Sequence, residues 1–190
     1  MKNYINTQNE FQQKINEMAA LYDYLLSEQW VAELTGKEFQ KDEIPLTQKV
    51  TKFYLEKYNG QIERKDLGIV VLNERGVKDS VAHGIGRAKS AAFAAVPNII
   101  KDGKIIDFQK NWKGRGYDSY VIGAPVKIGE DKYAGIIIIT KSTDSNRFYL
   151  HEVVLQKNLR NGFKTSLAGI PLGDIAKLLK KLELAKFFQK

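Results

Sequence analysis

The chain has 190 residues, 43% hydrophobic and 27% charged, enough to bury a substantial core as one domain or one with a small appendage. With no Cys and two His it excludes a disulfide framework, a thiolate nucleophile, a Cys-based zinc site and a His-rich metal site. Thirty Lys and Arg against 22 Asp and Glu leave a net charge of +8, which favours a polyanionic partner: nucleic acid, anionic lipid or an acidic protein.

The start, "MKNYINTQNE", lacks the apolar stretch of a signal peptide, and no run of about 18 apolar residues is present to span a bilayer. The expectation is a protein with no membrane partner, working in the cytoplasm of the producing or target bacterial cell. Residues 1–62 read as a helical cap or linker. Asn6 or Thr7 is placed to cap a helix whose apolar stripe runs Phe11, Ile15, Met18, Tyr22, Leu25 and on to Trp30, with Gly36 as its stop. A polar link leads to a second helix, "LTQKVTKFYLEKYNG", ended by Gly60.

From residue 66 to 190 the pattern is that of a second region. "LGIVVLN" is a short strand, followed by a long helix over about 77–96 that Pro97 helps end. Four strands follow: "GKIIDFQ", "SYVIGAPVKIG", "DKYAGIIIITKS" and "RFYLHEVVLQ", joined by the turn segments "GED" and "STDSN". The end, "GDIAKLLKKLELAKFFQK", is an amphipathic helix with Ile175, Leu178, Leu179 and Leu182 on one stripe, expected to dock on the domain. The fold class expected is α+β: N-terminal helices, then a long helix packed on a four- to five-stranded, mainly antiparallel sheet, with a C-terminal amphipathic helix.

Three stretches carry chemistry. In "GVKDSVAHGIGRAKSAAFAAVP", Asp79, His83 and Arg87 share one helical row at i, i+4, i+8, with Lys89 and Ser90 beyond. Gly84 and Gly86 each cost about 1 kcal/mol in a helix interior. They need a local reason, either close packing on a strand or approach of a phosphate to the backbone. "GIGRAKS" has neither Walker A nor G-x-G-x-x-G spacing, so a nucleotide-binding loop is rejected. In "NWKGRGYDSY", Lys113 and Arg115 lie on a flexible, glycine-broken loop with Trp112, Tyr117 and Tyr120 near, as a clamp for single-stranded nucleic acid requires. In "FYLHEVVL", Tyr149 and His151 share one strand face, and Thr140 closes the preceding strand. Together these are parts for RNA cleavage without a metal or cofactor. The substrate's own 2′-OH is the nucleophile, histidines of pKa near 6.5 move the protons, and Arg or Lys holds the developing charge.

Those segments, "RGVKDSVAHGIGRAKSAAFAAVPNIIKDGKIID", "NWKGRGYDSYVIGAPVKIG" and "RFYLHEV", in that order, resemble the barnase–EndoU–colicin–RelE-like (BECR-fold) nuclease domains of phage and polyvalent mobile-element proteins. The resemblance covers about residues 66–158. It implies a helix followed by a four-stranded antiparallel sheet, and a metal-independent endoribonuclease used as a toxin or effector. The helix histidine would be His83, with Arg87 and Lys89 after it, and the strand histidine His151. Thr140 and Tyr149 join the catalytic set, and Lys113, Arg115, Trp112, Tyr117 and Tyr120 the RNA-binding set. RNA, with tRNA among the candidates, is the implied partner, and an acidic antitoxin or immunity protein the implied inhibitor. The alternative is a non-catalytic nucleic-acid-binding module of a phage or conjugative element. An ADP-ribosyltransferase-like effector finds no glutamate-bearing loop to support it.

Overall fold

The computed structural model describes residues 27–82, 87–111, 114, 116–142 and 148–156, together with 13, 16–17, 20–21 and 23–25. The chain divides into two compact units, Glu28–Lys157 and a second made from Met1–Ser27 with Asn158–Lys190. In the latter, helical residues occur between 13 and 25. The stripe from Phe11 to Tyr22 and the expected C-terminal helix lie outside the described residues.

The unit Glu28–Lys157 is an α+β fold on a seven-stranded mixed sheet. In chain order its elements are β1 (Ala32–Leu34), α1 (Leu46–Tyr58), β2 (Gln61–Arg64), β3 (Gly68–Val71), α2 (Glu74–Ala82), α3 (Arg87–Ala92), a 3-10 turn (Phe93–Ala95), α4 (Val96–Asp102), β4 (Lys104–Gln109), β5 (Tyr117–Ile128), β6 (Asp131–Ser142) and β7 (Phe148–Gln156). Along the sheet the order is β1-β5-β6-β7-β3-β2, with β4 also paired to β5. β4 and β1 thus share one edge of β5: β4 takes Ser119–Gly123 antiparallel, and β1 takes Val126–Ile128 parallel.

The sheet is larger than the sequence led us to expect, and it is mixed, because β1–β5 and β3–β7 pair parallel. A three-residue strand is too short to show a period, and parallel partners come from distant segments. Trp30, expected as the last residue of the first helix's apolar stripe, is not helical, and β1 begins two residues after it. The second helix forms as α1. Val50 and Tyr54, four apart, are fully buried, and Asn59 (φ 52°) and Gly60 (φ 69°) turn the chain out of it.

The expected helix over 77–96 gives way to a 3-10 turn at Phe93–Ala95, and Pro97 opens α4 instead of ending a helix. Proline in a first turn lacks only an N–H that has no intrahelical partner there, so it starts helices as readily as it stops them. The far end of α4 is held by Arg64. Its guanidinium donates to the carbonyls of Ile100 (2.5 Å) and Gly103 (2.9 Å) and pairs with Asp66 at 2.6 Å.

All the helices of this unit pack on one sheet face. The core joins Val50 and Tyr54 of α1, Val77 of α2, Phe93, and Ile99 and Ile100 of α4 to Ile122, Ala124 and Val126 of β5, Ile137 and Ile139 of β6, and Leu150 and Val153 of β7. β6 is buried on both faces, since Ala134, Ile136 and Ile138, which alternate with the core residues, are also buried. This explains why "AGIIII" is an unbroken apolar run.

Candidate nucleic-acid site

Strand register decides which expected site residues share a surface. Ile139 and Leu150 are directly opposite in the core, and so are Thr140 and Tyr149 one position along, on the other face. Ser119 is opposite Thr140 from β5, and Gln109 is opposite Ser119 from β4. Gln109, Ser119, Thr140 and Tyr149 therefore form one rung across four adjacent strands, on the face away from the helices. Ser119 is 1% exposed, while Gln109, Thr140 and Tyr149 are half-buried. The amide Nε2 of Gln109 donates to Asp107 at 3.0 Å.

Tyr120 lies on the opposite face. Its ring contacts Phe108 at 4.7 Å and packs against the core, and burial, with the Asp118 charge second, pushes its phenol above the usual value. It is held away from the surface that carries Tyr149.

His151 occupies a break in the β6–β7 ladder. Leu150 pairs with Ile139 and Glu152 with Ile138, which leaves His151 as the extra residue of a bulge. The bulge explains how Leu150 and Val153, three apart on one strand, both enter the core. It also alters the face-sharing expected of Tyr149 and His151, because strict alternation fails at this point.

α2 crosses β7 on either side of the bulge. Gly76 lies against Leu150 so closely that a Cβ there would sit 2.2 Å from the Leu150 carbonyl oxygen. One helical turn on, the Ser80 hydroxyl accepts from the Val153 N–H at 3.0 Å and donates to the Val153 carbonyl at 3.4 Å. β3 pairs β7 only at Phe148 and Tyr149, and the Ser80 hydroxyl serves Val153 where no third strand does. His83 follows the end of α2 by one residue and lies outside the described residues. Arg87 is the first residue of α3. Lys89 is committed locally: its ammonium donates to the Ser80 carbonyl of α2 at 2.8 Å.

The described residues of the loop between β4 and β5 are joined by local hydrogen bonds centred on Asn111. Asn111 (φ 49°), Gly114 (φ 66°) and Gly116 (φ 76°) are left-handed. The Asn111 side-chain oxygen accepts from Gly116 N–H at 2.8 Å, its carbonyl accepts from Gly114 N–H at 2.9 Å, and its own N–H donates to Asp118 at 3.0 Å. Trp112, Lys113 and Arg115 lie outside the described residues, and Tyr117, half-buried, opens β5.

Sequence reasoning missed Ser119 and Gln109. Period-two counting inward from Thr140 places Ser119 only once the β5–β6 register is known. Among the described residues no three His, Asp or Glu side chains group as metal ligands, and no helix is long and apolar enough to cross a membrane.

The chain has no match among curated proteins or solved structures. A family model does match, over residues 41–149, a span that takes in α1 through Tyr149 and stops two residues before His151. That is more than half of the chain, and the protein belongs to the family of large polyvalent protein-associated domain 3.

Proposed function

We propose that the protein is a metal-independent endoribonuclease of a polyvalent mobile-element protein. The observation that carries this reading is the crossing of α2 over β7: the helix that leads into His83 packs closely on Leu150 and hydrogen-bonds Val153, on either side of His151. One histidine removes the proton of the RNA 2′-OH, whose oxygen forms a bond to the adjacent phosphorus. The bond from phosphorus to the 5′-oxygen breaks, and the second histidine protonates that leaving oxygen. The products are a 2′,3′-cyclic phosphate and a free 5′-OH. Arg87, Lys113 and Arg115 supply the cations that hold the phosphorane-like charge. Lys89 is bonded to the Ser80 carbonyl of α2.

Incubation with tRNA and rRNA in EDTA is expected to yield discrete fragments ending in cyclic phosphate. A 2′-deoxy nucleotide 5′ to the cut should abolish them. His83→Ala and His151→Ala should each slow cleavage by at least about 10²-fold. Cutting of DNA, or cutting that requires added Mg²⁺, overturns the mechanism. A second reading, a nucleic-acid-binding module without catalysis, is favoured by one observation: Thr140 and Tyr149 lie on the sheet face away from the helices. It predicts RNA binding without products, with log K falling by about 0.7 per phosphate contact for each tenfold rise in salt.

A further inference from the structure

We propose that the outer edge of β4 accepts an added strand: an extended peptide with apolar residues at its centre and Asp or Glu at both ends. This surface is separate from the chemistry proposed above and does not depend on it. Among the described residues β4 pairs with β5 alone, so the other side of its backbone is an open edge. Ile105 is opposite Ile122 and Phe108 opposite Tyr120, and both partners lie in or against the core on the helix side of the sheet. The register shift between Ile105 and Asp107 supplies the extra residue that brings two positions three apart onto one face. Ile105 is 36% and Phe108 45% exposed, two of the five large apolar side chains exposed among the described residues. With both on one six-residue strand, they form a strip and not scattered exposure. The Tyr120 ring stands behind Phe108, its centroid 4.7 Å away, and backs the strip.

The strip is apolar and its surroundings are basic. Over residues 101–110 the exposed charges are Lys101, Lys104 and Lys110 against Asp102. The other carboxylate, Asp107, lies on the opposite face, 9% exposed, and accepts from the Gln109 amide at 3.0 Å. Lys101 and Lys110 flank a strand that spans about 20 Å at roughly 3.3 Å per residue, which suits an occupant of about six to eight residues. A second copy of the chain would bring a net charge of +8 against the same sign. A single-stranded nucleic acid would satisfy the lysines and stack on Phe108, but it has no alternating donors and acceptors for a strand edge. A peptide with acidic ends uses every feature. Its main chain extends the ladder, its central side chains cover Ile105 and Phe108, and its carboxylates meet the lysines.

The test is fluorescence anisotropy of a labelled peptide, Glu-Glu-Val-Ile-Val-Phe-Glu-Glu, titrated with the full chain. The same peptide with Lys for every Glu should bind at least about 10-fold more weakly. Methylating the peptide's backbone nitrogens at one alternate set of positions should abolish binding. Methylating the other set should leave it within about twofold, because only one side of an added strand pairs. Ile105→Ser and Phe108→Ser should each weaken binding about fivefold or more. Amide exchange over residues 104–109 should slow when the peptide binds, and exchange over β2, at the other edge of the sheet, should not. The two methylated peptides test the claim without altering the protein. Equal binding of the Glu and Lys peptides, equal effects of the two methylation sets, or no binding at about 1 mM overturns the proposal. Displacement of the peptide by oligouridylate, with oligouridylate binding itself lost in Phe108→Ser, also overturns it and assigns the strip to nucleic acid. A concentration-dependent dimer that Phe108→Ser dissolves overturns it in favour of a second copy.

Discussion

The junction of α2 with β7 and two of the molecule's turns are ordered by opposite means. At the junction, residues more than 70 positions apart in sequence meet: the Ser80 hydroxyl bonds both backbone polar groups of Val153, and Gly76 lies on the Leu150 carbonyl. In the β4–β5 loop and in the turn after β1, every bond described runs between residues at most seven apart. Asn111 ties Gly114, Gly116 and Asp118, and Glu38 ties Thr35 and Gly36. Long-range contacts close only when the whole unit folds, so damage at the junction should appear as lost global stability. Damage in the turns should stay local.

Gly76→Ala is the harshest test of the junction. Its Cβ would stand 2.2 Å from the Leu150 oxygen and 2.9 Å from the carbonyl carbon, and backbone cannot swing aside as a flexible side chain can. We expect a loss of about 3 kcal/mol or more, read as a lower urea midpoint with the slope unchanged. A loss under about 1 kcal/mol would mean that α2 is not pressed on β7.

Ser80→Ala removes both bonds to Val153 and leaves a fully buried strand N–H without its partner. That should cost about 1–3 kcal/mol. Hydrogen exchange at the Val153 amide should accelerate together with the rest of β7, since the effect belongs to the long-range class.

The two kinds of order also differ in how far the sequence reveals them. β4 to β7 were readable because alternation and turn residues are local signals, and α1 because Val50 and Tyr54 are spaced by one helical turn. The passage from helix to 3-10 turn at Phe93 was hidden, and Pro97 misled, because proline opens a helix as readily as it ends one. The parallel pairings of β1 and β3 were hidden, since no local pattern names a distant partner. The candidate site divides along the same line. Thr140 and Tyr149 were picked singly for their chemistry, but their opposition, and the places of Ser119 and Gln109 beside them, exist only in the register. The His151 bulge depends on one extra residue in β7 relative to β6, which neither strand shows alone.

Asn111→Ala probes the local class. It deletes the acceptor of the Gly116 N–H and puts a Cβ-bearing residue without Asn's local hydrogen bonding at φ 49°. We expect a loss of about 1 kcal/mol, with faster exchange confined to residues 110–118 and the α2–β7 amides unaffected. Asn111→Gly keeps the backbone conformation and loses only the side-chain bond, so it should cost about half as much. Equal losses would assign the order of the loop to the hydrogen bond alone.

The smallest effect belongs to Glu38. Burial raises its pKa, but hydrogen bonds from the Thr35 N–H (2.7 Å), the Thr35 hydroxyl (2.8 Å) and the Gly36 N–H (2.9 Å) outweigh that, and the net direction is downward from 4.5. A carboxylate whose folded pKa is depressed adds stability that is fully present above its unfolded pKa and is lost as pH falls through the folded value. Glu38 is half-buried and remains in contact with solvent, so screening keeps the contribution under about 1 kcal/mol. Glu38→Gln should therefore cost a small, constant amount at neutral pH, and the gap between the two proteins should begin to close as pH falls below 4.5 and vanish below the folded value. Exchange at the Thr35 and Gly36 amides should report it before the urea midpoint does, because only these local bonds depend on the charge. A gap that widened with acid would mean that the Glu38 carboxyl is stabilised in its protonated form, and that this turn is held by something other than the ionised side chain.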